Sequence, residues 1–286
     1  MFKSIGHYLS LVKFSHTLFA LPFAATGFIL AIRQTPEALS ISLATKVLLC
    51  MVFARSAAMS FNRWADRNID AQNPRTAIRE IPSGLIASNA ALTFCILNCI
   101  AFVITTWFIN PLCFYLSFVA LAVVLGYSYT KRFTSLCHLV LGLGLGLAPV
   151  GAWLAVTGSF HPAALYLAAA VLCWVGGFDV IYALQDSEFD RNNGLHSLPS
   201  RLGNRKALGI SRSLHIASSL FLLSAGLQAG LGWVYYLGCG VFILLLISQH
   251  RLVKPNDLSK VNMAFFTFNG LASILFFLFT LLDVVL

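Results

Sequence analysis

Asn62-Arg63-Trp64-Ala65-Asp66-Arg67-Asn68-Ile69-Asp70 stands where a long apolar run ends, and three oxygen-bearing side chains recur in it at intervals of four. On a helix, at roughly 100° per residue, that interval lines Asn62, Asp66 and Asp70 along one face. Carboxylates stacked one turn apart repel each other unless a cation lies between them, and a divalent ion is the economical occupant. Asp186 and Asp190 form a second pair at the same spacing, again just past an apolar segment. The two stretches read as halves of one site, each delivered by an apolar helix to its polar end.

The likeness extends upstream. Arg55 precedes Asn62 by seven residues and Asp66 by eleven, and Asp179 stands in the same relation to Asp186 and Asp190. Two and three helical turns separate these positions, so each set forms a line running out of the apolar span. Charges inside such a span are costly and face a bundle interior or a wet cavity, which makes Arg55 and Asp179 functional candidates. For Arg55 the alternative is a side chain that snorkels to the headgroups.

Of the 286 residues 58% are hydrophobic and 10% charged, and the mean hydropathy is +0.82. Soluble domains carry about 25% charged residues, so the expected fold is all-α and polytopic in a lipid bilayer. The formal charge of +9 comes from short loops and makes no basic stripe, which excludes a nucleic-acid partner. Seven cysteines include no CxxC pair and lie mostly in apolar runs, giving neither a zinc site nor a disulfide framework.

Residues 1–13, with Lys3, His7 and Lys13 among apolar residues, suit a short helix in the membrane interface. About nine spans are expected: Phe14 to Ile32 with a kink at Pro22, a second from Ile41 that delivers Arg55, then 88–108, 111–128, 136–156, 162–184, 207–228, 231–249 and 262–286. The whole chain, 1–286, reads as one integral membrane domain. Two polar stretches, 71–87 and 185–205, are long for connectors and read as binding loops or lids. In the fifth span Gly142, Gly144, Gly146 and Gly151 read as close helix packing. All nineteen Lys and Arg except Arg33 and Lys46 fall on the side of the N-terminus and of the loops after spans two, four, six and eight. That side is therefore cytoplasmic, and both acidic stretches with it.

Four carboxylates and an amide among cations suit a magnesium diphosphate, because Mg2+ takes oxygen ligands and lets substrate phosphate complete its shell. Arg75, Arg79, Lys131, Arg132, Arg191 and Arg201 are the cations available to the leaving charge. Tyr127, beside Tyr129, Lys131 and Arg132, is a further candidate to bind substrate, and an interfacial aromatic belt with positive-inside charge explains the cluster equally well.

NRWADRNID resembles the Asn-x3-Asp-x3-Asp motif of the UbiA-type intramembrane prenyltransferases, and FDVIYALQDSEFDR resembles their second Asp-rich motif. VKFSHTLFALPFA, NPRTAIREIPSG, GYSYTKRF and APVGAW are similar to the bacterial 4-hydroxybenzoate polyprenyltransferase branch. The resemblance implies a helical bundle around a central cavity, in the bacterial cytoplasmic (inner) membrane. It also implies Mg2+ as cofactor, held by Asn62, Asp66 and Asp70 and by Asp186 and Asp190, with Lys131 on the diphosphate. Arg63 departs from the pattern, since many members have an acidic residue there. The implied reaction is transfer of a polyprenyl group from an all-trans polyprenyl diphosphate to an aromatic carboxylic acid, 4-hydroxybenzoate, ortho to its hydroxyl. An alternative acceptor is 1,4-dihydroxy-6-naphthoate. Asp179 is a catalytic candidate to orient the phenol or assist in charge stabilisation and Tyr182 to hold either partner, and Arg55 either binds the acid's carboxylate or pairs with Asp179. A secondary transporter is the reading from another class, since Gly-interrupted spans with intramembrane charge also mark that architecture.

Overall fold

A computed structural model describes residues 2–12 and 17–286. Lys13 and the expected start of the first span, 14–16, lie outside the described residues. Regular structure among the described residues is helical, apart from one isolated antiparallel bridge between Lys254 and Asp257. Among the described residues eight helices are long and apolar enough to cross a membrane, and Phe19–Gln34 adds a shorter apolar one. The protein is a polytopic all-α membrane protein, as its composition requires. The chain divides into two compact units, one containing the residues up to Thr17 with Ser40–Tyr129, the other Leu18–Leu39 with Thr130–Leu286.

In the first unit α1 (Phe2–Leu11) is followed by α3 (Ile41–Gln72), α4 (Ser88–Trp107) and α5 (Pro111–Thr130), the last ending one residue past the unit; α2 (Thr17–Gln34) belongs to the other. Ser40 caps α3 by accepting the Leu43 N–H at 3.1 Å. At 32 residues this helix is about 48 Å long, against about 30 Å of hydrocarbon, so its polar last turns project beyond the apolar layer. Small residues bring α3 and α4 together: Ala57 and Ala91 are fully buried, and the Cys95 thiol reaches the Ala57 carbonyl at 3.4 Å. Residues 73–87 form a series of turns. They are covered by α1, whose Leu11 packs with Ile86 and Ala91, whose Tyr8 ring lies 4.9 Å from that of Phe94, and whose Ser10 hydroxyl donates to Glu80. The N-terminal segment is thus a strap over the loop.

The second unit contains α2, α6 (Cys137–Thr157), α7 (Pro162–Ala183), α8 (Ser187–Asn192), α9 (Leu198–Leu202), α10 (Asn204–Ala229), α11 (Trp233–Leu252), α12 (Val261–Met263) and α13 (Asn269–Val285). A Cβ on Gly142 or Gly146 would run into the Leu172 or Ala168 carbonyl, so these glycines set the closeness of α6 to α7, as their spacing suggested. Gly151 faces open space and takes no part. On the other side of α7, Ser211, His215 and Ser218 of α10 meet the Gly177, Trp174 and Ala170 carbonyls at 2.7, 3.3 and 2.8 Å. In lipid such bonds satisfy polar groups that water cannot reach.

The structure differs from the sequence reading in two places. The stretch 185–205 holds two short helices, α8 and α9. The last span is interrupted: α12 and α13 are joined through a wider π-type turn, Ala264–Phe268. Its carbonyls are met by side chains, Gln249 Nε2 reaching Ala264 O at 3.1 Å and Asn269 Nδ2 reaching Phe265 O at 2.9 Å. Trp174 Nε1 in turn donates to Asn269 Oδ1 at 3.0 Å.

Candidate active site

The first acidic motif is buried at the end of α3, with Asp66 1% and Asp70 4% exposed. The Asn62 amide nitrogen donates to Asp66 Oδ2 at 3.2 Å and to Ser128 Oγ at 3.5 Å. Asp70 and Arg79, expected to serve metal and diphosphate separately, are joined: Arg79 Nη1 lies 2.7 Å from each Asp70 oxygen. The chain closes that pair with a compact turn in which Thr76 Oγ1 donates to the Asp70 carbonyl at 3.0 Å and Asn73 Oδ1 accepts the Arg75 N–H at 3.0 Å.

Arg63, noted in the sequence only as a departure, is 4% exposed. It lies within electrostatic reach of Asp70, Glu80, Arg79 and Tyr127. Buried Glu80 and Arg63 were missed as site residues. The only sequence signal was their charge beside an apolar run, which is shared by many solvated residues. Tyr127 also interacts with Arg55, two helical turns below Asn62 on α3. Arg75 is half-buried in the loop.

The second acidic motif occupies α8 and the turn before it. Asp186 and Asp190 are half-buried, and Asp186, Lys131 and Ser197 all act on the Asp190 carboxylate. The loop is folded back onto the α5–α6 connection: His196 N donates to Lys131 O at 2.7 Å, Leu195 N to Asp190 O at 2.8 Å, and the Cys137 thiol to His196 O at 3.4 Å. A capping box between Ser197 and Ser200 opens α9. Lys131 and the Asp pair are therefore gathered by backbone bonds. Arg132, Arg191 and Arg201 are exposed. Arg191 Nε donates to Ser200 O at 3.3 Å and, with Glu188, Asn204 and Arg205, lines an open polar depression of about 510 Å³.

Deeper in α7, Asp179 meets a partner the sequence did not suggest. His138 Nδ1 lies 2.7 Å from Asp179 Oδ2, and His138 Nε2 accepts the Leu198 N–H at 3.2 Å. Tyr182, one turn on, packs its ring 4.2 Å from that of Phe265. Phe178 and Phe19 continue this aromatic wall at 5.2 and 5.5 Å from Phe265.

Oxygen donors alone make up both acidic motifs, which suits a hard cation. Among the described residues no three His, Cys, Asp or Glu side chains gather closely enough to form an all-protein metal cage. A magnesium ion that takes one or two carboxylates and completes its shell with substrate phosphate needs no such cage, so the Asp186/Asp190 pair fits it.

A helical membrane protein with two acidic motifs, each bordered by basic side chains, is built to handle a diphosphate at a membrane. The chain belongs to the UbiA prenyltransferase family, whose sequence pattern matches residues 20–278. It is 31% identical over 226 residues to a 4-hydroxybenzoate octaprenyltransferase of Nitrosospira multiformis, covering 79% of this chain and 77% of that one. It is 32% identical to the protein of that name from Shewanella denitrificans, covering 91% and 85%. Among solved structures, an apo UbiA homologue of Aeropyrum pernix K1 superposes with a TM-score of 0.84 at 30% identity, covering 94% of this chain and 98% of that one. A homologue from Archaeoglobus fulgidus bound to DMAPP and Mg2+ shares the fold, with a TM-score of 0.70 at 21% identity, covering 98% and 99%. Family membership sets the transporter reading aside.

Proposed function

We propose that the protein transfers a polyprenyl group from an all-trans polyprenyl diphosphate to the ring of 4-hydroxybenzoate, ortho to the hydroxyl, releasing diphosphate. The observation that carries the reading is the match to relatives of that activity's name over about four fifths of the chain. Lys131, placed at the Asp190 carboxylate, binds diphosphate oxygens, and Arg75 adds charge from the 73–87 loop. Asn62 and Asp66 of the first motif hold one Mg2+, and Asp186 and Asp190 of the second hold another. When bound, these ions supply charge that stabilises the departing diphosphate. The chain's own cations add to that stabilisation as the allylic C–O bond ionises.

Asp70 is already neutralised by Arg79, so its role is first to hold the loop and only with that loop open to serve an ion. Arg55 binds the carboxylate of the acid, and Asp179 and Tyr182 hold its phenol end. The aromatic wall of Phe19, Phe178 and Phe265 keeps water from the allylic cation, which water would trap as a polyprenyl alcohol. In the test, purified protein receives Mg2+, a long-chain prenyl diphosphate and either 4-hydroxybenzoate or 1,4-dihydroxy-6-naphthoate. Prenylation of the benzoate is the expected result; exclusive use of the naphthoate would replace the acceptor.

The positive charge distribution supports a cytoplasmic N-terminus and cytoplasmic 73–87 and 185–205 loops in the bacterial inner membrane. In a variant without the seven native cysteines, a cysteine at exposed Ile78 or Asn193 is expected to react with an impermeant thiol reagent only from the cytoplasm. One at exposed Glu37 is expected to react only from outside. All three reacting from one side would overturn this orientation.

A further inference from the structure

The bond between His138 and Asp179 defines more than a contact, because its hydrogen positions follow from its neighbours. His138 Nε2 accepts the Leu198 N–H, and a ring nitrogen that accepts carries no proton. With Nε2 accepting, the ring's hydrogen lies on Nδ1, which donates to Asp179 Oδ2 at 2.7 Å. One oxygen of Asp179 is thereby engaged. Oδ1 has no hydrogen-bond partner among the described residues, and a quarter of the side chain is exposed while that of His138 is 3% exposed. The buried member is the histidine and the accessible one is the acid. The histidine lies behind the acid and sets its angle.

Packing explains why the two meet. Gly176 lies beside His138 and Leu139, where a Cβ would press on the Leu139 side chain and approach the His138 carbonyl, and Gly142 closes the same seam at Leu172. These small residues bring the first turn of α6 near enough to α7 for the imidazole to reach Asp179. Its other nitrogen is fixed by α9, which the Ser197–Ser200 capping box and the His196–Lys131 backbone bond hold in place. One end of the ring is thus fixed by backbone and the other by the Asp179 carboxylate.

We propose that Asp179 is the proton acceptor of the prenyl transfer and that His138 is the residue that positions it. The inference rests on the prenyl-transfer reading above and assigns its last step. The allylic C–O bond breaks and its electron pair leaves with diphosphate. A ring carbon forms the new C–C bond with a π pair, and the C–H pair at that carbon returns to the ring. The proton released passes to Asp179 Oδ1 and from there to water. A fixed carboxylate does this at a defined angle, which a mobile one does not.

The test is a cycle of four proteins: wild type, Asp179→Asn, His138→Leu and the double variant, each assayed for kcat, for KM of the prenyl diphosphate and for thermal midpoint. Asp179→Asn is expected to lower kcat on the order of 10²-fold. His138→Leu is expected to lower it by roughly tenfold or more, with KM for the diphosphate unchanged. In the Asp179→Asn background removal of His138 should cost nothing further, since it acts only through the acid. His138→Gln, whose amide can donate to Asp179 and accept from Leu198, is expected to recover most of the loss. Multiplicative losses in the double variant, or a His138→Leu protein with lowered midpoint, raised diphosphate KM and normal kcat, would overturn the positioning role. Full kcat in Asp179→Asn would overturn the proton acceptor while leaving prenyl transfer standing. A wild type that prenylates no aromatic acid would overturn the function and this assignment together.

Discussion

Asp186→Asn and Asp190→Asn are each expected to lower kcat by on the order of 10³-fold, the several kcal/mol that a metal contributes to stabilising a leaving anion. Both side chains are half-buried, Asp190 on α8 and Asp186 in the turn before it, and Asp190 carries the like charge of Asp186 beside it. Neutralising one of two like charges relieves repulsion, so neither change is expected to lower the thermal midpoint. This separates them from Asp70→Asn, which also removes the bidentate partner of Arg79 and with it a hold on the 73–87 loop. The measurement is turnover of polyprenyl diphosphate and aromatic acid at saturating Mg2+, beside thermal unfolding in detergent. Chelation by EDTA should abolish wild-type turnover and added Mg2+ restore it. Near-normal kcat in both variants would remove the metal from the second motif.

Much of the architecture was legible because a membrane span is a composition signal. Runs such as 111–130 and 162–183 begin at Pro111 and Pro162, a residue type that starts helices. The spacing of four in both acidic motifs and the crowding of Gly142 and Gly146 were equally readable. What escaped was whatever depends on a partner far along the chain. His138 lies 41 residues from Asp179, and a lone histidine in an apolar run carries no spacing signal. Arg79 opposite Asp70 is a nine-residue separation across irregular turns, which no helical or strand period marks. The π-type turn at Ala264–Phe268 depends on Gln249 and Asn269 meeting its carbonyls, and an apolar run reads the same with or without it. Periodicity reveals faces of single helices; pairings between elements come only from their packing.

Arg55→Ala is expected to raise KM for the aromatic acid strongly, by the equivalent of about 2–5 kcal/mol for a broken buried charge pair, with prenyl diphosphate affinity little changed. Arg55 sits on α3 seven residues before Asn62, inside the apolar part of the helix and within electrostatic reach of Tyr127. A guanidinium at that depth gains from an anionic ligand, and its fork can take both oxygens of a benzoate and so fix which ring carbon faces the allylic cation. The competing role, a structural tie to Asp179, requires that the acid depend on the guanidinium. Asp179 instead has its own donor in His138 at 2.7 Å, so its orientation is set within α6 and α7. The two roles part on measurement. If Arg55 reads the acid, the loss is confined to the acid's KM and grows smaller for acceptors that lack a carboxylate. If it is a tie, thermal midpoint and both substrates suffer together and Asp179→Asn reproduces the pattern. An unchanged acid KM in Arg55→Ala ends the recognition hypothesis, because a carboxylate that loses its guanidinium fork at that depth cannot bind as before.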